Sequence, residues 1–341
     1  MTDRTTHHPR CKHLLQGLAL SLTSVVLFLV ACEITLRVAG YGNLEIYEPD
    51  PSLYWKLKPN QDCFTKIGRK PVQINSHGTR GPEFETAKPA NTFRILSLGD
   101  SRTFGWGLTE AETYSTQLQV LLQEKAAAGR RIEVINAGVN AWSYPQMLVY
   151  FRDIGLRYQP DVVVLADANL WTQFSEKNSA EFVRKLMWRV RLKNFLRRFA
   201  FYHWLVEVQL SEFYYRHRTK FIPVDPKQDR LFKEQQRSDP EAVFRSAIEE
   251  LCKTALTNGV TPVLLYLPTL EDLDPTKAST VLKVKRAISA SLRVPLVDLT
   301  ADFQPFGKNL YLEADPVHPN AHANEIVARR LFEAVNHPGT R

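Results

Sequence analysis

Three residues whose side chains could together perform nucleophilic catalysis lie in two segments that are far apart in the sequence. Ser101 belongs to the turn Gly99–Ser101, whereas Asp315 and His318 are three residues apart near the C-terminus. A serine hydroxyl becomes a nucleophile when a base removes its proton, and a carboxylate can fix the tautomer of a histidine that acts as this base. Ser101, His318 and Asp315 are therefore candidates for a nucleophile, its base and an orienting carboxylate.

The segment that must position Ser101 is a short apolar run, Phe93 and Ile95–Leu98, interrupted by Arg94. A run of this length that ends in Gly-Asp-Ser predicts a buried strand followed by a turn. In open α/β sheets, sites form at the carboxyl ends of the strands. The alternative is an ordinary strand-to-helix turn in which Asp100 or Ser101 caps the next helix.

Asp315 and His318 precede an amphipathic stretch, Ala321–Val335, which predicts a final helix. An Asp-x-x-His pair could orient an imidazole locally. The alternative is a capping aspartate beside a surface histidine.

The order of these segments resembles the SGNH subgroup of the GDSL-type esterases and acyl hydrolases, from about Tyr47 to about Val335. The first block is Gly-Asp-Ser, the second is the glycine that ends Val134–Gly138, and the last is Asp-x-x-His. The third block, usually Gly-x-Asn-Asp, reads Asp167-Ala168-Asn169-Leu170 here, so that Asn169 alone matches. Arg102 is also bulkier and more charged than expected directly after the nucleophile.

The resemblance implies a serine esterase whose triad is Ser101, His318 and Asp315. It also implies that the backbone N–H groups of Ser101 and Gly138 and the side chain of Asn169 form the oxyanion hole. We expect neither a metal nor a cofactor. The alternatives are an O-acyltransferase of the same fold, which would transfer acyl groups to a polysaccharide, and an inactive glycan-binding envelope module.

Strand-like and helix-like stretches alternate along the rest of the chain, which predicts an α/β fold with a mainly parallel sheet. The resemblance implies that this fold is a three-layer α/β/α sandwich of the flavodoxin-like type. One short predicted strand occupies the first half of Val72–Gly81 and is followed by turn residues. The other predicted strands lie at Ile132–Ile135, Asp161–Leu165, Val263–Leu267 and Pro295–Asp298. Predicted helices lie at Tyr114–Ala127, from Pro145 to about Tyr158, at Glu241–Asn258 and at Ser279–Leu292.

The N-terminus contains an uncharged stretch of 18 residues, Leu14–Ala31, preceded by basic residues. Its length predicts a membrane span, and the basic flank places the N-terminus in the cytoplasm. We expect a cytoplasmic tail over 1–13, a transmembrane anchor over 14–39, an approach segment with a first strand over 40–92 and a periplasmic catalytic domain over 93–335. The alternatives are a buried helix, a cleaved signal, or a lipoprotein anchored at Cys32 in the bacterial inner membrane.

An insertion at about 171–240 interrupts the alternating pattern. Between Glu181 and Lys220 there are ten Lys or Arg and three Glu, with interleaved aromatic residues and no Gly or Pro. Such a segment predicts helices that either lie on anionic lipid headgroups or form a lid packed on the core. Because the domain is expected outside the cytoplasm, nucleic acid is not an expected partner; the expected partners are a small ester, an acylated glycan or a lipid.

The remaining reactive side chains show no ligand cluster. The four cysteines fit no metal spacing, although Cys63 and Cys252 could pair in an oxidising compartment. Ser76 and His77 fit a turn, and His322 fits a surface position.

Overall fold

The chain begins with one long apolar helix, α1, which spans Pro9–Val38. The computed structural model describes residues 9–44, 47–65, 69–168, 179–210, 213, 240–277, 279–313 and 315–336. The part of α1 at His13–Val38 has a window with a mean hydropathy of 2.2, and none of that window is buried within the protein. By length and composition, α1 can cross a membrane, at nearly the bounds that the sequence predicts.

Two antiparallel hairpins follow α1. They comprise β1 (Tyr47–Asp50), β2 (Tyr54–Leu57), β3 (Gln61–Phe64) and β4 (Pro71–Ile74). The sequence predicts an extended approach segment without periodicity over Tyr41–Phe64, and the structure forms the short strands β1, β2 and β3 within it. Strands of four residues are too short to display a clear alternation of apolar and polar side chains.

The α/β domain begins with β5 (Thr92–Gly99), α2 (Ser101–Phe104), α3 (Tyr114–Lys125), β6 (Arg131–Gly138), α4 (Tyr144–Asp153), a 3₁₀ turn (Gly155–Tyr158) and β7 (Val162–Leu165). The insertion contains α5 (Ser179–Leu196), α6 (Ala200–Tyr202) and a π-helix (His203–Leu210). The domain continues with α7 (Pro240–Thr257), β8 (Thr261–Tyr266), a 3₁₀ turn (Glu271–Leu273), α8 (Thr280–Leu292), β9 (Leu296–Asp298) and α9 (Thr300–Phe303). It ends with a 3₁₀ turn (Gly307–Leu310), β10 (Tyr311–Leu312), β11 (Asp315–Pro319) and α10 (Ala321–Asn336).

Five of these strands form one parallel sheet in the order β6-β5-β7-β8-β9. This is the flavodoxin-like order, in which the first strand of the sheet in sequence lies between the second and the third. The direction of winding changes between β5 and β7, where Leu98 is paired with Leu165. The crevice at the carboxyl ends of these two strands is where such sheets place their ligands.

Helices cover both faces of the sheet. On β7, Val162 and Val164 belong to the core cluster that contains residues of α3 and α10, whereas Val163 and Leu165 belong to the cluster that contains α4 and α7. Successive side chains of a strand point to opposite faces, and both faces here are buried. The predicted three-layer α/β/α fold is therefore confirmed.

Arg94, which interrupts the apolar run of β5, is buried in an ion pair. Its Nε donates to Oε2 of Glu133 at 2.7 Å, and Glu133 is the residue paired with it on β6. Its Nη1 donates to the carbonyl oxygen of Tyr158 at 2.6 Å. These partners satisfy a charge that would otherwise be costly to bury.

Cys63 and Cys252 are both buried, and both are free thiols. The pairing that the sequence left open is therefore not formed. Burial raises the pKa of the Cys252 thiol to about 12, so the thiolate that would attack a disulfide is disfavoured.

Candidate active site

Ser101 is the first residue of α2, directly after β5 at the point where the winding of the sheet reverses. Asp100 caps this helix, since its Oδ1 accepts from the N–H of Arg102 at 2.9 Å. Gly105 ends it with a φ of 86°, which a residue with a side chain rarely adopts. The buried side chain of Arg80 donates to the carbonyl oxygens of Phe104 and Gly105, both at 2.8 Å. The turn that carries Ser101 is therefore fixed at both ends.

Asp315 and His318 lie on β11, which pairs with β10 in a short hairpin before α10. Asn320 joins this hairpin to the helix. Its Oδ1 accepts from the N–H of Ala323 at 3.1 Å, and its Nδ2 donates to the carbonyl oxygen of Asn309 at 2.7 Å. The hairpin is therefore held in place at its carboxyl end.

The fold brings Ser101, His318 and Asp315 together, although Ser101 and His318 are 217 residues apart. Ser101 Oγ lies 2.8 Å from His318 Nε2, and His318 Nδ1 lies 2.7 Å from Asp315 Oδ2. Burial opposes ionisation of Asp315, but hydrogen bonds from His318 and from the N–H of Val317 outweigh it and lower the pKa of the carboxyl. A negatively charged Asp315 can therefore orient and stabilise the imidazole.

Gly138 ends β6 beside α2, and the close approach of the two backbones requires a glycine. A Cβ at this position would lie 2.3 Å from the backbone nitrogen of Phe104. The Gly138 N–H donates to Oδ1 of Asn136 at 3.1 Å. Asn136 Nδ2 in turn donates to the carbonyl oxygen of Thr103 at 2.9 Å. An oxyanion bound by the Gly138 N–H would have to replace Asn136 as its acceptor. Asn169 and Leu170 lie outside the described residues.

Two of the three departures from the SGNH pattern, Arg102 and Asp167, belong to one buried network of charges. Arg102 Nη2 lies 3.0 Å from Asp100 Oδ2, and its Nη1 lies 3.9 Å from Asp167 Oδ2. Lys285 Nζ lies 2.6 Å from Asp167 Oδ1, and its side chain is fully buried. Asp167 also accepts from the N–H of Leu267 at 2.5 Å. The contacts of Arg102, Asp167 and Lys285 thus connect the turn that carries Ser101 to the segments that follow β7 and β8.

The charges of this network stabilise one another. Burial lowers the pKa of Lys285, because the interior disfavours the ammonium, and the attraction of Asp167 opposes this effect. Burial acts in the same direction on Arg102, but the carboxylates of Asp100 and Asp167 outweigh it and raise the pKa of the guanidinium. A carboxylate at position 167 therefore has two cationic partners.

Sequence reasoning overlooked Lys285 and Arg80. Lys285 lies on α8 at the buried spacing of Val281, Val284 and Ile288, and a lysine on an apolar helix face is a signal that a buried partner exists. Arg80 offered no comparable signal, since it follows a turn and its β-bridge to Asn136, which places it beside α2, depends on the tertiary fold.

A cleft of about 730 Å³ lies above Ser101 and His318. The Trp106 ring lies 6.2 Å from the His318 ring, tilted by 36°. The segment after β8 contributes mainly polar side chains to the lining: Thr269, Glu271, Asp272, Lys277, Ser279 and Thr280. The cleft thus presents hydroxyl, carboxylate and ammonium groups opposite an aromatic ring.

The other candidate residues lie outside this lining. Ser76 and His77 occupy a turn, as predicted, where Ser76 Oγ donates to Glu83 and the His77 ring stacks on Phe84. His322 is exposed on α10, also as predicted. Within the described ranges, no group of three or more His, Cys, Asp and Glu residues could hold a metal ion.

No protein-family profile and no curated protein matches the chain. Among solved structures, the esterase EstA from Pseudoalteromonas sp. is 14% identical with a TM-score of 0.43, over 71% of this chain and 96% of EstA. A variant of the acetylxylan esterase Axe2 from Geobacillus stearothermophilus is 16% identical with a TM-score of 0.44, over 73% and 96%. The lipase/acylhydrolase from Enterococcus faecalis is 15% identical with a TM-score of 0.44, over 71% and 95%. At this level of similarity, a function has to be argued from the chain's own site.

Proposed function

We propose that this chain is a serine esterase of the SGNH type with Ser101, His318 and Asp315 as its triad. The observation that carries the proposal is the continuous set of contacts from Ser101 Oγ through the His318 ring to Asp315 Oδ2. It lies at the switch point of the sheet and lines a cleft large enough for a small substrate.

In this proposal, Ser101 Oγ attacks the carbonyl carbon of an ester while His318 Nε2 takes the hydroxyl proton. The imidazolium formed is stabilised by Asp315, and it then protonates the leaving alcohol as the ester C–O bond breaks. Water adds to the acyl-enzyme by the same route, with His318 again the base, and releases the acid. Asp315 remains a carboxylate throughout.

The negative charge on the carbonyl oxygen needs donors that are aimed at it before the reaction begins. We assign this role to the N–H groups of Ser101 and Gly138 and to the side chain of Asn169. The loss of one such donor typically lowers the rate by about 100- to 1,000-fold. Asn136, which accepts from Gly138 in the free site, would exchange its place with the oxyanion.

The side chains of the cleft support an O-acylated glycan as one substrate class. The Glu271–Lys277 ion pair and Asp272 offer polar groups to hydroxyls, and Trp106 offers a ring face against which a sugar can pack. Apolar surface in the same lining leaves an acylated lipid as the other candidate.

We place the catalytic domain outside the cytoplasm of a bacterial cell, anchored in the inner membrane by α1. Arg10 and Lys12 precede the apolar part of α1, and basic flanks of a first span favour the cytoplasmic side. Acylated envelope glycans are present in the periplasm, so this location agrees with the proposed substrate class.

Labelling with a fluorophosphonate tests the proposal directly, because the reagent reacts with activated serines. We expect the full-length protein in detergent to be labelled at Ser101, as located by peptide mass mapping, and the Ser101→Ala variant to be unlabelled and inactive. Ser76→Ala is the matched control, since Ser76 lies in a turn away from the cleft, and it should be labelled normally.

The products then separate the alternatives. Acid released from acetylated oligosaccharides supports the hydrolase, and acyl transfer to an added glycan supports an O-acyltransferase instead. Saturable glycan binding by a protein that is neither labelled nor active would support the inactive binding module. Labelling of a folded Ser101→Ala variant at wild-type level would overturn the assignment of the nucleophile.

A further inference from the structure

The helix α5 exposes a row of large apolar side chains, Trp188, Leu192, Phe195 and Phe199, which we call the outer stripe. Trp188 is 65% exposed and Phe195 is 53% exposed. The residues are spaced by four, three and four positions, which places them on one side of a helix; Phe199 lies just beyond its end. Exposed apolar patches of this kind in a soluble protein mark a surface that contacts another phase or partner.

Basic residues flank the outer stripe on both sides. At 3.6 residues per turn, Arg189 is about 100° from Trp188 in one direction and Arg191 is about 60° from it in the other. Both arginines are exposed. An apolar stripe between arginines fits a helix that lies in a bilayer surface, where the arginines reach the phosphate groups.

The opposite side of α5 packs on the protein. Asn194 Nδ2 donates to the carbonyl oxygen of Tyr47 at 2.5 Å. The buried Arg197, just after the helix, forms an ion pair with Glu207 of the π-helix, with an Nε–Oε1 distance of 3.6 Å. These contacts hold the outer stripe outward, so it does not cover the core as a lid would.

The part of the insertion that follows α5 is attached to the end of α1. The carboxylate of Glu33 accepts from the N–H groups of Ala200 and Phe201 at 2.9 and 3.0 Å. Arg37 donates to the carbonyl oxygen of Arg198, which adjoins Phe199 of the outer stripe. Glu33 and Arg37 are the first charged residues after the apolar part of α1, so they mark the level at which the helix leaves the hydrocarbon.

We propose that the outer stripe is a second membrane contact, with Trp188, Leu192, Phe195 and Phe199 inserted among the acyl chains of the leaflet from which α1 emerges. The occupant of this surface is the lipid bilayer, because the stripe continues from the junction with α1 and its basic flanks match anionic headgroups. Anionic leaflets attract such flanks. The proposal depends on α1 spanning the bilayer and is independent of the proposed esterase chemistry.

The test uses the full-length protein in vesicles of phosphatidylglycerol and phosphatidylcholine with and without brominated acyl chains, which quench tryptophan fluorescence on contact. The contribution of Trp188 is the difference between the wild type and the Trp188→Phe variant. We expect the brominated lipids to quench this difference signal. We also expect aqueous acrylamide to quench it less than it quenches the same signal from the protein unfolded in urea.

Two added tryptophans serve as controls in the Trp188→Phe background. Phe28→Trp, within α1, should be quenched by brominated lipids, which establishes that the anchor is inserted. Val120→Trp replaces an exposed apolar residue of α3 and should be quenched by acrylamide only. Quenching at Phe28→Trp without quenching at Trp188 overturns the second contact, and the absence of lipid quenching at both positions overturns the anchor as well.

Discussion

At the scale of single residues, the proposed mechanism makes the reactivity of Ser101 depend on a hydrogen-bond chain whose last member is Asp315. Asp315→Asn should retain the shape of the site, but the amide can present its N–H to His318 and so stabilise the wrong tautomer. We expect kcat to fall by roughly 10,000-fold, as in serine proteases in which this aspartate becomes asparagine. Hydrolysis of p-nitrophenyl acetate by the full-length protein in detergent would measure the effect.

The control for this prediction is the melting temperature of the same preparation. Because hydrogen bonds lower the pKa of the Asp315 carboxyl, we expect Asp315→Asn to lower the melting temperature at neutral pH, and kcat is therefore measured at a temperature at which the variant is fully folded. A folded variant with wild-type kcat would remove Asp315 from the mechanism.

The order of Gly-Asp-Ser and Asp-x-x-His, with the family resemblance, predicted that Ser101, Asp315 and His318 share one site, and the structure brings the three side chains within contact distance. Their role as a triad stays a proposal. The sequence identifies Asp167 only as a departure from the usual third-block glycine, because its partners Arg102 and Lys285 are distant in the sequence. Their proximity arises when β7 and α8 pack together, and no local pattern encodes it. Asn169 remains a prediction from the resemblance.

At the scale of elements, the Asp167–Lys285 pair connects the end of β7 to α8. Asp167→Asn keeps the size and most hydrogen bonds of the side chain, but it leaves the buried ammonium without its nearest carboxylate. Breaking a buried pair in this way costs about 3–5 kcal/mol of the free energy of unfolding. Urea denaturation of the full-length protein, monitored by tryptophan fluorescence, would measure this loss.

A second substitution distinguishes lost charge pairing from general disruption. Asp167→Asn combined with Lys285→Met removes both charges, and we expect it to recover much of the stability that Asp167→Asn loses. Lys283→Met is the matched control on the exposed side of α8 and should change stability little. Lys285→Met alone completes the cycle. If the double variant is no more stable than the sum of the losses of Asp167→Asn and Lys285→Met predicts, the pairing argument is wrong.

The stability of the segment from β9 to α9 should depend on pH through Asp298. Burial raises the pKa of this carboxyl, but hydrogen bonds from Thr300 and Arg286 outweigh it and lower the pKa below 3.8. The stabilisation is therefore fully present above pH 3.8 and is lost as the pH falls through the folded-state value. Asp298→Asn should lower the melting temperature at neutral pH. The difference in melting temperature between this variant and the wild type, which we call the gap, should disappear at acidic pH. A gap that stays constant from about pH 7 to about pH 3 would contradict the linkage argument.

Elements with strong periodicity were predicted to within a few residues, as the strands and helices of the α/β domain illustrate. The β1–β2 hairpin was not, because four-residue strands rich in aromatic and charged residues offer no clear pattern. The exposure of the outer stripe was also beyond prediction, since the same periodicity fits a helix that faces the core. In the described part of the chain, tertiary contacts such as those of Asn194 and Arg197 determine which side of α5 faces the protein.

At the scale of the whole molecule, the position of Cys32 within α1 bears on how the protein is anchored. We expect no processing, because the helix continues past Cys32 to Val38 and Glu33 is engaged with the insertion. Intact mass spectrometry of the membrane-extracted protein should therefore find a chain that begins at Met1 or Thr2. A mass that corresponds to a chain starting at a diacylglyceryl-modified Cys32 would establish the lipoprotein route instead.

With α1 in the bilayer, as we propose, the junction between α1 and the domain would also limit the distance over which the protein can act. The Gly42 N–H donates to His203 Nδ1 at 2.6 Å only four residues after α1 ends, so little free chain separates the bilayer from the fold. A flexible linker of n residues would instead allow excursions of about 5–6 Å × √n. The cleft is therefore expected to work at one fixed height above the lipid surface and to sweep a thin layer as the protein diffuses laterally. Polymers in that layer are accessible to it, and material deeper in the envelope has to be brought to the membrane.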